Sequence, residues 1–254
     1  MRAARGTALV AAATLLAPAI LAAQTLEQRV LARKDATVRL AYATKPGVCG
    51  NGDRGVSLRG QADGWTPDCE QGPAHVTIRV SGGEVTDIST RVGGRWLPKE
   101  GVTDLGTVPP REATRLFLGL ARRDDRGAND AIFAAMIADS ADVWRDLLAM
   151  ARTSTLRKDV RKSAVFWVGQ EAADAATRGL REVVGDASID RDVRESAVFA
   201  LSQRPRDEAV PALLDVARTN QDPKLRRSAI FWLGQTEDPR ALAYFEEVLG
   251  RPAR

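Results

Sequence analysis

The side chains with the clearest chemical potential are two cysteines and one histidine near the amino-terminal end. Cys49 and Cys69 are the only cysteines, and His75 is the only histidine. Their spacing is not the C-x-x-C of redox pairs, and a zinc site needs four ligands, usually Cys and His. In an oxidising compartment such cysteines tend to pair, and a bond closing a loop of about 20 residues stabilises by about 3 kcal/mol. We therefore predict a structural disulfide, with a redox or metal pair as the alternative.

Sequence patterns for catalysis are largely missing. The chain contains no H-E-x-x-H, no G-x-S-x-G and no P-loop motif. A single histidine also disfavours a serine or cysteine triad, since the triad base is usually histidine. An acid–base pair of carboxylates stays open, because pairing in space is not visible in a sequence. We predict that the protein is not an enzyme and that it uses no cofactor and no metal.

Two groups of side chains are candidates for binding. The first is a basic cluster, Arg157, Lys158 and Lys162, which suits an acidic partner. Asp159 and Asp192 dilute this cluster, so a mixed, solvated surface is the alternative interpretation.

The second group consists of tryptophans, Trp144, Trp167 and Trp232. Phe166 and Phe231 directly precede two of them, and adjacent helical residues point about 100° apart. Such a pair is either buried on two sides of a helix as core or partly exposed as a binding hot spot.

The elements that position these residues follow from an internal repeat. The ten residues Arg161–Gln170 recur with close similarity as Arg194–Gln203 and as Arg226–Gln235, at a period of 33 and then 32 residues. An eroded earlier copy lies at Asn129–Phe133. A looser second half follows each copy at helical spacing, so each unit is expected to contain two short amphipathic helices.

Packing explains most of the repeated residue types. Val160, Ala164 and Val168 lie four residues apart, and their equivalents in the next copies form the same stripe toward a partner helix. Gly169 and Gly234 are expected to end their helices, where a residue with positive φ is favoured. Each unit leaves an apolar face that a neighbouring unit covers, so stacked units build one continuous core.

The sequence from Asp222, Asp-Pro-Lys-Leu-Arg-Arg-Ser-Ala-Ile-Phe-Trp-Leu-Gly-Gln, resembles HEAT repeats, and most closely the short HEAT-like repeats of the phycobilisome-lyase type. The resemblance covers about residues 110–250, and Ser202 departs from it by replacing a turn glycine. It implies a mainly α fold in which residues 109–254 form an α-α superhelix of about four units. It also implies that the recurring arginines, Arg161, Arg194 and Arg226, tie neighbouring units together. The alternative is that they form a basic ladder for an acidic partner or an anion.

The preceding region, residues 24–108, is predicted to be a small β-rich module pinned by the disulfide. Thr37–Tyr42 alternates in polarity like a half-buried strand, and residues 75–92 are typical of a hairpin. The glycine-rich stretch Lys45–Pro73 is expected to be a loop, and residues 101–110 a junction to the helical region.

Residues 1–23 have the pattern of a cleaved secretory signal. Arg2 and Arg5 precede an apolar run, Thr7–Ala22, and small residues precede Gln24. The run is short for a membrane span and contains a proline, so no transmembrane segment is expected after cleavage. The chain has 37 Lys and Arg against 33 Asp and Glu. Without its two signal arginines the excess falls to two, which gives no argument for nucleic acid.

Together these features predict an exported, periplasmic or extracellular protein that acts as a scaffold or adaptor for another protein in the cell envelope. A lyase-like HEAT enzyme, or an accessory subunit of an enzyme, is the first alternative. A structural component of the envelope is the second.

Overall fold

The computed structural model describes residues 24–53, 55–58, 69–95, 97, 99–139, 141–171 and 174–250. The predicted signal, residues 1–23, lies outside them. A short helix and two sheets come first in the described chain: α1 (Leu26–Leu31), β1 (Ala36–Tyr42), β2 (Cys49–Gly50), β3 (Val56–Ser57), β4 (Glu70–Gln71), β5 (Ala74–Ser81), β6 (Glu84–Val92) and β7 (Val102–Thr107).

Nine further helices follow within the described ranges: α2 (Pro110–Arg122), α3 (Ala128–Met136), α4 (Trp144–Arg152), α5 (Lys158–Gln170), α6 (Asp174–Gly185), α7 (Arg191–Ser202), α8 (Arg206–Thr219), α9 (Pro223–Gly234) and α10 (Pro239–Leu249). The predicted mainly α fold, with a helical repeat region after a small sheet module, is confirmed. None of the described helices combines the length and the apolar content needed to cross a bilayer.

The main sheet has the strand order β6-β5-β1-β7. β5 and β6 form the predicted hairpin, and β1 pairs antiparallel with β5. The side chains of Val38, Leu40 and Tyr42 on β1 are fully buried. The Tyr42 hydroxyl donates a 2.6 Å hydrogen bond to the Ala134 carbonyl of α3, so this sheet packs directly against the helical region.

Two expectations for the sheet region need correction. Residues 101–110 are not only a junction, because β7 pairs in parallel with β1. The glycine-rich stretch is not only a loop, because β3, β2 and β4 form a second, three-stranded sheet. Cys49 on β2 is bonded to Cys69 beside β4, which confirms the predicted disulfide.

The helical region consists of four helix pairs, α3–α4, α5–α6, α7–α8 and α9–α10, preceded by α2. Within each pair we name the members the first helix and the second helix. First helices pack against neighbouring first helices, and second helices pack against neighbouring second helices. The structure is therefore two layers of parallel helices, as expected for stacked repeat units.

The predicted core stripe is present. Val160, Ala164 and Val168 are fully buried on α5, and their equivalents on α7 and α9 are buried to the same degree. One continuous cluster of buried side chains joins the sheet, α2 and all four units. The helical array therefore shares its core with the β-rich module.

The expectation for the repeat glycines is met only in part. Gly234 is the last residue of α9, as predicted, but Gly169 lies inside α5, and neither glycine has a positive φ. A Cβ atom at Gly169 would lie 3.0 Å from the Ala200 Cβ on α7. The glycine is therefore required by the close approach of two first helices. A Cβ atom at Gly234 would meet nothing within 4 Å.

Candidate functional site

The outward side of α5, α7 and α9 carries the same residue types at three levels. On each of these helices a phenylalanine follows a serine after three residues, and a glutamine follows the phenylalanine after four. This spacing places the three side chains on one side of the helix. The opposite side carries the buried stripe, so the core orients this surface outward. We call it the first-helix face, and its repeated residues are Ser163, Phe166, Gln170, Ser196, Phe199, Gln203, Ser228, Phe231 and Gln235.

Six aromatic side chains form an unbroken row across this face. Phe133 on α3 begins it, with its ring centroid 5.3 Å from that of Trp167. The Phe166 ring is 5.0 Å from Trp167 and stacks at 6.3 Å on Phe199. From there the Trp232 ring lies 5.0 Å from Phe199 and 5.0 Å from Phe231. We call this set the aromatic row: Phe133, Phe166, Trp167, Phe199, Phe231 and Trp232.

The phenylalanines, rather than the predicted tryptophans, are the exposed members of the row. Phe166 is 37% exposed and Phe231 is 58% exposed. Trp167 and Trp232 are half-buried and pack against the core as well as against the row. They therefore combine the two roles that the sequence left open, and they support the exposed rings from beneath.

Trp144 is not part of this surface. It is the first residue of α4 and lies in the layer of second helices. Its half-buried ring contacts the core, and the guanidinium carbon of Arg145 lies 4.3 Å from the ring centroid. The structure therefore separates Trp144 from the other candidate residues.

Two members of the predicted basic cluster already have acidic partners. Arg157 pairs with Asp124 and with Asp159, each at 3.2 Å. Lys158 pairs at 2.9 Å with Asp192 of the next unit, and this hydrogen bond raises the pKa of Lys158 and lowers the pKa of Asp192. These two cations therefore connect α5 to its neighbours on either side, which leaves Lys162 as the member available to a partner.

Lys162 lines a shallow groove across α7 and α9 together with two cations and three aromatic rings. Asp192 and Glu195 also line it. Across the described ranges, Lys162, Lys224 and Arg227 form no ion pair within 4.0 Å. We call this the α7–α9 groove, and its cationic and aromatic members are Lys162, Lys224, Arg227, Phe199, Phe231 and Trp232.

The recurring arginines tie units together, as the family resemblance implied. Arg161 and Arg194 are buried, and the Nε atom of each donates to a carbonyl of the preceding second helix, Ala151 at 3.0 Å and Val184 at 2.9 Å. Arg161 also pairs with Asp190 of the next unit. Arg226 donates from Nη1 to the Asn220 carbonyl at 2.8 Å. These groups are occupied and do not form a basic ladder for a partner.

The sequence analysis did not predict a row of ion pairs that lies on the layer of second helices. There an arginine of α2, α4, α6 and α8 pairs with an acidic residue of the following second helix, 24 to 34 residues later in the chain. The spacing of arginine and acid along the sequence was the available signal. The pairs are Arg122–Asp146, Arg152–Glu182, Arg181–Asp215 and Arg218–Glu247.

The described residues of this face do not form a metal site. In the part of the chain that the structure describes, no three His, Cys, Asp or Glu residues are close enough together to hold an ion. His75 is buried in β5, where burial and then the charge of Arg39 lower its pKa. The geometry of the first-helix face is that of a contact surface with an aromatic centre and charged edges.

Comparison with known proteins agrees with this architecture. Residues 180–254 match the family model described as HEAT repeats. None of the curated proteins compared with the chain matches it. The match supports the resemblance to HEAT repeats. It does not support the finer resemblance to repeats of the phycobilisome-lyase type. HEAT repeats suggest an interaction scaffold in general, which agrees with an exposed aromatic row. Residues 180–254 are therefore similar to HEAT repeats, and the units before them repeat the same arrangement of two helices.

Proposed function

We propose that this protein is an exported adaptor of the cell envelope that binds another protein through its first-helix face and does not catalyse a reaction. The observation that carries the proposal is the aromatic row, whose exposed rings, Phe166 and Phe231, lie on a rigid, repeated support. Solvent-exposed rings backed by packed aromatic neighbours have the features of interface hot spots. Internal packing alone gives no reason to expose them.

Two observations support export. The segment 1–23 has the charge and apolar pattern of a secretory signal. The Cys49–Cys69 bond is of the kind that persists in oxidising compartments and is rare in the cytosol. Fractionation of cells and amino-terminal sequencing of the mature protein test this part. A mature chain starting near Gln24 in the exported fraction is expected, whereas an uncleaved chain in the cytosol would contradict export.

The binding proposal is tested by site-specific photo-crosslinking in living cells. A photoreactive amino acid at position 166 or 231 is expected to capture a discrete protein. The same group at Leu242, which is exposed on α10 and outside the row, serves as the control and is expected to capture none.

Once the partner is identified, the double variant Phe166→Ser and Phe231→Ser is compared with a control double variant, Leu242→Ser and Leu249→Ser. Loss of one hot-spot side chain costs about 2 kcal/mol, or about 30-fold in affinity, so the row variant is expected to bind at least about 30-fold more weakly. The control variant is expected to bind like wild type. Equal binding by the row variant and wild type would overturn the proposal.

A further inference from the structure

We propose that the α7–α9 groove binds an acidic segment of a polypeptide, with an apolar side chain of that segment on Phe231 and Trp232 and its carboxylates beside Lys224 and Arg227. This inference rests on the proposed function and adds the chemistry of the partner. It commits to one groove on the first-helix face and to one sign of charge.

The first argument is a change of charge between equivalent positions. Lys224 occupies the repeat position that holds Asp159 in α5 and Asp192 in α7. Arg227 occupies the position that holds Glu195 in α7. In two places, therefore, α9 carries a cation where the preceding first helix carries an acid. The shared repeat scaffold does not require this change, because the fold of α7 is formed with the opposite charges.

The second argument is that these cations are not used inside the array. Other basic residues at the same edge pair with the neighbouring unit, Lys158 with Asp192 at 2.9 Å and Arg191 with Asp222 at 2.6 Å. Lys224 and Arg227 are exposed and have no such partner among the described residues. Two unpaired cations on one helical turn attract carboxylates, and the attraction is screened by salt.

The third argument is the apolar floor between the charges. Trp232 replaces the alanine found at the same position of α7, Ala200, and its ring lies 5.0 Å from both Phe199 and Phe231. Phe231 is more than half exposed beside it. An apolar side chain placed here covers aromatic surface that otherwise faces water. The groove therefore favours a segment that combines an apolar residue with flanking acids.

Cations beside aromatic rings also suit single-stranded nucleic acid, in which bases stack and phosphates pair. Asp192 and Glu195 line the same groove and would repel a continuous line of phosphates. A peptide can place its carboxylates only where the cations are. The balance of 37 basic against 33 acidic residues in the whole chain gives no general attraction for phosphate. A polypeptide is therefore the favoured occupant.

The probe is a phage-displayed library of random dodecapeptides, selected on the whole disulfide-bonded protein. Enriched peptides are expected to carry Asp or Glu close to Phe, Trp or Leu, and their binding is expected to weaken as NaCl is raised. The enriched sequences are then synthesised, and their affinities are measured by fluorescence anisotropy.

The test variant is Lys224→Asp combined with Arg227→Glu, which restores the residue types of the preceding repeat. It is expected to fold, because α7 carries these acids at the equivalent positions, and the acid at position 224 lies in the first turn, where it suits the helix dipole. Loss of affinity by about tenfold or more is expected from reversal of two rim charges. The control is Arg111→Glu combined with Arg178→Glu, which changes the net charge equally at exposed sites on α2 and α6. This control is expected to bind like wild type.

The outcomes separate this inference from the proposed function. Enrichment of basic or uncharged peptides, equal loss in test and control variants, or displacement of the peptides by single-stranded DNA would each overturn the acidic-segment proposal. A protein crosslinked at position 166 would still support the adaptor function in those cases. Acidic peptides that bind wild type but bind neither the Phe231→Ser variant nor the charge-reversed variant would support the adaptor function and the acidic-segment proposal together.

Discussion

At the scale of single residues, Arg161 and Arg194 explain why an arginine recurs in this array. The last carbonyls of a helix lack partners within that helix. Here a buried guanidinium from the following first helix donates to such a carbonyl, at 3.0 Å from Arg161 and 2.9 Å from Arg194. One side chain thus satisfies a helix end and joins two helices of adjacent units.

Replacing Arg194 by lysine is expected to destabilise the protein. The lysine ammonium cannot reproduce the directed Nε–H bond to the Val184 carbonyl, and the site is buried. The loss is expected to be about 1.5–3 kcal/mol of unfolding free energy, the range for hydrogen bonds to charged groups. Urea denaturation measures it. Arg178→Lys, at an exposed site on α6, is the matched control and should change the free energy by less than about 0.5 kcal/mol.

Asp238 gives the last unit a dependence on acid pH. Its carboxylate caps α10 and accepts bonds from the Arg240 side chain at 2.9 Å, and these bonds lower the Asp238 pKa from 3.8 to about 2. Because the folded pKa is depressed, the stabilisation is present above pH 3.8 and is lost as the pH falls toward 2.

Amide hydrogen exchange of α10 between pH 5 and pH 2 tests this linkage. We expect wild type to lose protection in α10 as the pH falls through this window. Asp238→Asn keeps a capping oxygen but cannot titrate, so its α10 should be less protected at pH 5 and change less with pH. The same pH profile in wild type and variant would contradict the role of Asp238.

For single residues, the sequence predicted which positions join the units better than it predicted which side chains are free to contact a partner. The family resemblance correctly implied that Arg161 and Arg194 join neighbouring units. It could not show that Arg157 and Lys158 are occupied, because their partners Asp124 and Asp192 lie about one repeat away in the chain. Partners at that distance depend on the register between units. Ring exposure likewise depends on neighbouring helices, so the exposed phenylalanines were not separated from the supporting tryptophans.

At the scale of helices and strands, one repeat position shows how identical sequence serves different contacts. Gly169 is the penultimate residue of α5 and faces Ala200, whereas Gly234 is the last residue of α9 and has no neighbour within 4 Å of an added Cβ atom. The first glycine lets α5 and α7 approach, and the second has no such partner. The same letter in two copies therefore carries two different physical demands.

Alanine substitutions at these two glycines are expected to have opposite effects. At Gly169 the new Cβ would lie 3.0 Å from both the Cβ atom and the carbonyl oxygen of Ala200. Overpacking of this kind is expected to cost about 1–3 kcal/mol. At Gly234 the space is open and φ is not positive, so Gly234→Ala is expected to stabilise by about 0.4–1 kcal/mol. Thermal unfolding of both variants tests this prediction. Equal shifts of the melting temperature would contradict the explanation that α5 and α7 approach closely at Gly169.

The elements that sequence did not predict are short or formed by distant pairing. Helix α1 has six residues, too few for a clear period. Strand β7 is largely exposed and pairs in parallel with β1 across the intervening hairpin, a contact that no local pattern specifies. By contrast, the hairpin of β5 and β6 is local, and its alternation was sufficient to predict it.

At the scale of the whole molecule, the β-rich module and the helical array share one core. Tyr42 contacts α3 through its hydroxyl and lies with its ring centroid 5.7 Å from that of Phe117 on α2. Burial raises the pKa of Tyr42, so its hydroxyl remains a donor across the physiological range. The three-stranded sheet that carries the disulfide is linked to the main sheet by the Gly52 amide, which donates a hydrogen bond to the Val92 carbonyl at 2.9 Å.

Reduction of the disulfide is expected to lower the stability of the whole chain. The bond closes a loop with a sequence separation of 20 residues. In the chain-entropy model this contributes about 3 kcal/mol. Thermal unfolding with and without reductant should show the loss, with the double variant Cys49→Ser and Cys69→Ser as a reductant-insensitive control. An unchanged transition in reduced wild type would contradict a structural role for the bond.

The outward face of α10 has a further consequence for affinity. Leu242 and Leu249 are 57% and 84% exposed, because no described helix covers the last unit. In a stack held together by nearest neighbours, an uncovered edge opens locally more often than the interior. Helix α9, one wall of the α7–α9 groove, belongs to this edge unit. Apparent affinity for a ligand in the groove is then the intrinsic affinity multiplied by the fraction of molecules whose edge is closed. Ligand binding and closure of the edge are thermodynamically linked, so a ligand bound in the groove would also hold the edge unit closed.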